Sequence, residues 1–431
     1  MKSRTFAFAA FLMACAVARA QQTEIRLNPD MGTEAVAEAK RDYGMYAFLD
    51  REANVIKIGD EAAARLRERF GGSDSSVVRV LHIGDSHIQA EGATSRTRRE
   101  LQTRYGSAGR GLTAPLRLAG TNAPTDYSIR STSEFVTSRL LKRPWQGGMG
   151  FSGVSVSPVA RQFNITVECG AAFDCLRVYS SRASVDVTGS LPASVLSVLS
   201  PSDGITDILL LEPLTEITLN LACAEDVAIT AISLQNGSKG VEYSAIGNNG
   251  ATFASYASIP DFGKAVSSLA PDLVVLSLGT NEAFGRFTAD GLRADIDALV
   301  ADIRRHAPDA EIMLTTPQEC YKRSVTYSRR RGKKRRRVRS YSVNTSVERV
   351  RSIILGYAEE HGLPVYDWYA VAGGADSAGK WLERRLMNTD RIHLTWDGYH
   401  LQGDLFADAL LRMLTVQPDK NEIEDEPLGH H

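Results

Sequence analysis

The sequence predicts an α/β domain of three layers around a parallel sheet, with an all-β module inserted into it. Three observations lead there. An apolar, β-branched stretch over residues 77–81 runs into a sharp Gly84-Asp85-Ser86 turn and then a helical pattern up to Tyr105. Over residues 128–232 helical signals give way to short alternating segments split by Ser, Thr, Gly and Pro. Beyond them, strands and helices alternate again at lengths that suit the crossover units of a parallel sheet.

The elements follow in order. Lys2 and Arg4 precede an apolar stretch over residues 6–17, and Ala18-Arg19-Ala20 offers small residues where a signal peptidase reads them. Residues 1–20 are therefore expected to be a secretory signal peptide cleaved before Gln21, which makes the protein periplasmic or secreted. Leu12-Met13-Ala14-Cys15 offers an alternative, lipoprotein anchoring through Cys15; the poor second position and short apolar run favour soluble export. No later apolar run reaches the roughly 20 residues that a membrane span needs, so the chain is not expected to be transmembrane.

Residues 21–127 comprise the N-terminal region and the first part of the α/β domain. Within them, residues 60–70 form an amphipathic helix with Ala62, Leu66 and Phe70 on one face, ended by Gly71-Gly72-Ser73-Asp74. The glycine-rich residues 106–111 read as a turn near the pocket, since they lack the Gly-Lys-Ser/Thr ending of a nucleotide loop. Residues 128–232 read as an inserted sandwich-like module, a candidate for carbohydrate binding. Residues 233–417 complete the α/β domain, with strands at 271–278, 311–315 and 363–366 and helices at 289–305, 346–361 and 402–413. The acidic residues 418–431 lack an apolar pattern and are expected to be a disordered tail. Nine of the eleven residues 329–339 are Lys or Arg, a run that reads as an exposed loop able to attract acidic polymer.

Composition narrows the function. The 431 residues are 43% hydrophobic with a net charge of -1, enough for a large core and without a general attraction to nucleic acid, so no nucleic-acid partner is expected. Beyond the signal, Cys169, Cys175 and Cys223 permit a disulfide whose pairing sequence cannot choose, and Cys320 stands apart. Their spacings match no zinc signature, and no metal or organic cofactor is expected.

Four separated pieces carry the chemistry: Ser86; the Gly247-Asn248-Asn249-Gly250-Ala251 stretch; Gly279-Thr280-Asn281-Glu282; and Asp390-Arg391-Ile392-His393. Each follows a strand, and in a parallel sheet the loops after strand carboxyl ends gather on one edge. Ser86 needs a base to become a nucleophile, and His393 can act as one near neutral pH. Asp390 can orient the imidazole. The backbone amides of Ser86 and Gly250 and the side-chain amide of Asn281 are the candidate oxyanion donors. A second Asp-x-x-His, Asp397 to His400, competes with Asp390 to His393. Other residues read as structural: His82 as an interior histidine, Trp145 as buried rather than a sugar platform, and His87 as lining the groove or packing a helix.

These pieces resemble the consensus blocks of the SGNH hydrolases, also called the GDSL esterase/lipase superfamily. Gly84-Asp85-Ser86 resembles the nucleophile block, Gly250 the glycine block, Gly279-Thr280-Asn281-Glu282 the asparagine block, and Asp390 with His393 the final Asp-x-x-His block. His393 stands five residues before Gly398-Tyr399, as the family's histidine does, which selects it over His400. Two departures stand out: His87 follows Ser86 where the family name has leucine, and Glu282 replaces the usual aspartate. His87 is similar to the variant in bacterial peptidoglycan O-acetylesterases, some of which carry an inserted β-rich module. The resemblance implies a three-layer fold on a flavodoxin-like parallel sheet and an exported serine esterase that removes O-acetyl groups from a glycan. Its partner would be an acetylated cell-envelope or extracellular polysaccharide, with peptidoglycan one case. Acetyl transfer to a sugar hydroxyl and noncatalytic glycan binding are the competing functions.

Overall fold

A computed structural model describes residues 45–189, 192–328 and 336–415. The expected signal peptide, Cys15, the acidic tail and residues 329–335 of the basic run lie outside the described residues. Residues 48–415 lie within one compact unit.

The unit opens with β1 (Ile56–Lys57), α1 (Asp60–Gly71) and β2 (Val77–Gly84). A one-turn helix, α2 (Ser86–Gln89), and α3 (Gly92–Tyr105) follow at once. Nine strands come next: β3 (Gly109–Thr113), β4 (Tyr127–Arg130), β5 (Phe135–Arg139), β6 (Val154–Pro158), β7 (Gln162–Ser180), β8 (Asp186–Val187), β9 (Val195–Ser202), β10 (Ile205–Ala222) and β11 (Ile229–Gln235). The chain then returns through β12 (Gly240–Gly247), α4 (Phe253–Ala257), α5 (Phe262–Ser267), β13 (Leu273–Ser277), α6 (Thr280–Phe284), α7 (Ala289–His306) and β14 (Glu311–Thr315). After the hairpin β15 (Tyr321–Ser328) and β16 (Arg336–Val343) come α8 (Ser346–Glu360), β17 (Val365–Tyr366), α9 (Trp368–Val371), α10 (Ser377–Glu383) and α11 (Trp396–Thr415).

The first sheet has the order β1-β17-β14-β13-β2-β12. Five of its strands run parallel, but β1 pairs with β17 antiparallel, so the sheet is mixed where the sequence predicts a parallel one. The exception sits at the edge, where an antiparallel strand needs no crossover. Both faces of β2 are covered, which is why its sequence is a nearly continuous apolar run. Leu81 and Ile83 join a core with Ile296, Leu299 and Ile303 of α7 and Val350 and Ile354 of α8. On the opposite face, the His82 ring lies 5.7 Å from that of Phe406 in α11.

The second sheet is antiparallel throughout, and its strands run from β3 to β11, beyond residues 128–232 at both ends. Its nine strands form one hydrogen-bonded network that branches, with β7, β10 and β11 each pairing with three others. The long partners β7 and β10 pair along nearly their whole length, with register breaks around Leu214, and bulges of this kind bend a strand pair. Phe163, Val167, Leu176, Val178, Ile208, Leu219 and Leu221, from both halves of that pair, share one apolar core.

Two further readings change. Residues 106–111 lead into β3 instead of forming a plain turn, because Gly109 and Gly111 pass between the two sheets. A Cβ on Gly109 would meet Leu234 O at 2.6 Å, and one on Gly111 would meet Ser244 Oγ at 2.8 Å. In the basic run, residues 336–339 belong to β16, where Arg339 pairs with Val325 and Val338 with Thr326. Alternation of Ser, Val, Thr and Tyr along the partner strand supplies that ladder, so charge alone does not make a loop. Cys169, Cys175, Cys223 and Cys320 are buried free thiols. No described helix is long and apolar enough to cross a membrane.

Candidate active site

The Gly84-Asp85-Ser86 turn, the candidate nucleophile turn, rests on a row of small residues. Gly247, Gly84 and Ser277 are adjacent in register at the carboxyl ends of β12, β2 and β13. A Cβ on Gly84 would lie 2.3 Å from Ile88 Cγ1, and one on Gly247 would lie 2.1 Å from Gln89 N. Without side chains there, α2 lies directly across the sheet edge and carries Ser86 at its first position. Asp85 caps α2, its Oδ1 accepting from His87 N at 2.9 Å. Burial pushes the Asp85 carboxyl up to about 6, against the pull of that amide.

From Ser86 a hydrogen-bonded relay leads outward. Ser86 Oγ is 2.8 Å from His393 Nε2, and His393 Nδ1 is 2.7 Å from Asp390 Oδ2. Asp390 Oδ1 also accepts from the amides of Ile392 and His393, at 2.9 and 3.1 Å. Burial pushes the Asp390 carboxyl up, but these donors outweigh it and hold it near about 2. The hydrogen bond to Asp390 in turn raises the His393 pKa above its ordinary 6.5, against partial burial. The relay loop is braced from the hairpin. Tyr321 N donates to Arg391 O at 3.0 Å, and the Arg391 guanidinium lies 4.1 Å over the Tyr341 ring.

The candidate oxyanion donors are less uniform. Gly250 has φ +83°, a conformation strained for a residue with a side chain, and the first atom an added Cβ would meet is the flexible end of exposed Leu141 at 2.8 Å. Asn281 Nδ2 already donates to Asp85 Oδ2 at 3.1 Å and to Ala251 O at 2.9 Å. It thereby ties the Gly250 loop to the nucleophile turn, and an oxyanion would have to share one of those hydrogens. Glu282 turns away from Ser86 to accept from Phe253 N at 2.8 Å, at the start of α4. Burial pushes its carboxyl up to about 7.

Of the two Asp-x-x-His segments, Asp390–His393 reaches Ser86. His400 lies in α11 with its ring 5.8 Å from Trp396. His82 is an interior histidine, its ring nitrogens 2.7 Å from Tyr243 Oη and 2.6 Å from Ser277 Oγ. His87 packs its ring 5.1 Å from that of His393 and shares a 3.1 Å hydrogen bond with Tyr399 Oη. Burial lowers the His87 pKa to about 3, so it stays neutral beside the His393 ring. Trp145 is half-buried, with Nε1 donating to the carbonyls of Arg139 and Leu140 and the Arg143 guanidinium 4.1 Å over its ring.

Three supporting residues escaped the sequence. Gln89 Oε1 accepts from Asn249 N at 2.7 Å, holding the Gly250 loop to α2. Tyr256 Oη donates to Gly84 O and accepts from Asn248 Nδ2, and Arg391 braces the relay loop. Single residues of these types carry no spacing signal; only the fold joins them to the site. Among the described residues, no group of three or more His, Cys, Asp or Glu side chains is arranged to hold a metal ion.

The model of the GDSL-like Lipase/Acylhydrolase family matches residues 229–401, a span that contains Gly250, Asn281, Asp390 and His393 but begins after Ser86. Among solved structures, a peptidoglycan O-acetylesterase is 20% identical, with 83% of this chain and 99% of that one covered at a TM-score of 0.65. A lipase/acylhydrolase from Enterococcus faecalis is 19% identical, covering 40% of this chain and 76% of its own at a TM-score of 0.28. An acetyl xylan esterase is 18% identical, covering 39% and 81% at 0.29. No curated protein sequence matches the chain.

Proposed function

We propose that this chain, an esterase-type enzyme with an SGNH/GDSL-like hydrolase fold, removes O-acetyl groups from an exported or cell-envelope glycan, peptidoglycan first among them. The observation that carries the chemistry is the Ser86–His393–Asp390 relay at 2.8 and 2.7 Å on the edge of the sheet. The glycan is supported by the expected export signal and by a fold shared over most of the chain with a peptidoglycan O-acetylesterase.

In this reading Ser86 Oγ attacks the acetyl carbonyl carbon while His393 Nε2 takes its proton. The negative charge forming on the carbonyl oxygen meets the amides of Ser86 and Gly250, with Asn281 beside them. Collapse breaks the bond to the sugar oxygen, which leaves with the proton from His393, and acetate stays esterified to Ser86. Water enters and attacks the acetyl carbon as His393 takes its proton; collapse then breaks the bond to Ser86 Oγ, which recovers its proton from His393, and acetic acid leaves and ionises to acetate. Asp390 keeps Nδ1 protonated and offsets the charge of the imidazolium. Each step uses side chains and backbone amides of this chain.

Two tests follow. Wild-type protein should release acetate from O-acetylated peptidoglycan, the Ser86→Ala variant none, and O-acetylated xylan should be a poor substrate. Release from xylan alone would move the substrate, and release from neither would end the glycan-esterase reading. The pH profile tests the relay separately. His393 works as a base only when neutral, and its raised pKa puts the acid limb of kcat/KM above pH 6.5. Asp390→Asn removes the leading cause of that rise, so the limb should move to lower pH while kcat falls about 10- to 100-fold. That loss is moderate because Asp390 is 47% exposed and water partly replaces it. A limb that stays fixed would detach Asp390 from the base.

A further inference from the structure

A cleft that the relay residues do not line runs past the C-terminal end of α2. Its near section, about 330 Å³, is lined by Ala90, Glu91, Thr125, Asp126 and Trp396. It continues through Ser95 and Asp126 into a section of about 610 Å³ that reaches Gly170 in β7. One end is fixed to the chemistry by sequence: Ala90 follows α2 directly, and Trp396 stands three residues after His393. The far wall belongs to the antiparallel sheet.

Trp396 is 51% exposed, whereas Trp368 and Trp381 are buried and Trp145 is covered by Arg143. Its indole is nonetheless held in place. A Cβ on Gly92 would lie 3.0 Å from Trp396 Cζ3, so one edge of the ring packs on α3 while the rest faces the cleft. On the lining of the same cleft, Asp126 is a fixed acceptor: Arg98 and Arg110 both bind its carboxylate, and both arginines also bind buried Glu91. Arg110 is in β3, Arg98 in α3, and Asp126 next to β4, so this ion network ties α3 to the antiparallel sheet along the cleft. Its Asp126 side chain stays 39% exposed. An exposed aromatic ring and a preorganised carboxylate on one cleft suit a pyranose, whose ring carries apolar C–H faces and hydroxyl edges.

We infer that this cleft binds the glycan strand beside the acetylated sugar, with a pyranose stacked on Trp396 and its hydroxyls donating to Asp126. The inference rests on the glycan-esterase reading and adds a role for the antiparallel sheet as a wall of the substrate cleft. Full-length Trp396→Ala and Trp396→Phe proteins test it, each assayed on O-acetylated glycan strands and on p-nitrophenyl acetate. Trp396→Ala should lower the ratio of glycan to small-ester kcat/KM about five- to tenfold, mainly through KM, and Trp396→Phe should restore most of it. An unchanged ratio overturns the stacking site. A second measurement is independent of turnover. Tryptophan fluorescence of Ser86→Ala should change on titration with de-O-acetylated glycan strands, and that change should vanish in Ser86→Ala/Trp396→Phe. A change that persists without Trp396 overturns the inference. If wild-type protein cleaves p-nitrophenyl acetate but no glycan ester, the substrate reading fails while the titration still decides the cleft.

Discussion

Replacing Ser86 by alanine is expected to cut turnover about 10⁴-fold or more, and His393→Ala to do the same, with both variants folded. The two losses should not add. Ser86 Oγ and His393 Nε2 share one hydrogen bond at 2.8 Å and one proton, so removing either leaves the other without a task. The double variant should therefore sit at the level of the single ones, with residual rate from the amide donors and substrate binding alone. Neither substitution cuts into the core: Ser86 is half-buried at the start of α2, and the His393 side chain is 36% exposed. Thermal unfolding should hence stay within a few degrees of wild type. The decisive measurement is kcat on a small acetyl ester for the two singles and the double. Losses that multiply would mean two separate contributions and would break up the relay.

The second large effect is expected from Gly247→Ala, a change of one methyl group with no catalytic atom touched. The new Cβ would stand 2.1 Å from Gln89 N and 2.4 Å from Gln89 Cα, where ordinary contact begins near 3.4 Å. Both obstacles are backbone, so no rotamer can relieve them. α2 must move outward by an ångström or so, and Ser86 at its start moves relative to His393. A misplacement of that size costs on the order of 100-fold in rate, and overpacking adds about 1–3 kcal/mol of destabilisation. The check is kcat beside thermal unfolding. A fully active Gly247→Ala would show that the row of small residues does not set the nucleophile's position.

These two expectations differ in how far the sequence reveals them. Ser86, Gly250, Asn281, Asp390 and His393 stand in short blocks whose residue types are the chemistry, so the blocks can be assembled before any fold is known. Buried strands such as Glu311–Thr315 and amphipathic helices such as Ala289–His306 are equally legible, because burial imposes a period on the residues themselves. Gly247 belonged to one of those blocks, yet its role emerges only when β12 lies beside β2 and α2 crosses above it. Asn281 illustrates the same gap. Its residue type suggested an oxyanion donor, while the fold also gives its amide to Asp85 and Ala251. The hairpin was masked by its charge: a run rich in Lys and Arg reads as solvated, and the cross-strand pairing that orders Arg336–Val343 is nonlocal. Edge strand β1 is two residues long, too short for any periodic signal.

The pairing of β3 with β11 also bears on how the chain finds its fold. Neighbours β2 and β12 are far apart in sequence, and closing them directly would constrain a loop of about 150 residues. Gly109 and Gln235 are partners in the antiparallel ladder. Once that ladder forms, the loop still to be closed shrinks to about 30 residues, which lowers the entropic cost by about 1.5 kcal/mol. The ladder, itself a contact between residues 109 and 235, thus holds the two distant segments close to register. In the folded chain the antiparallel sheet acts as a splint between the segments that lead from β2 and into β12.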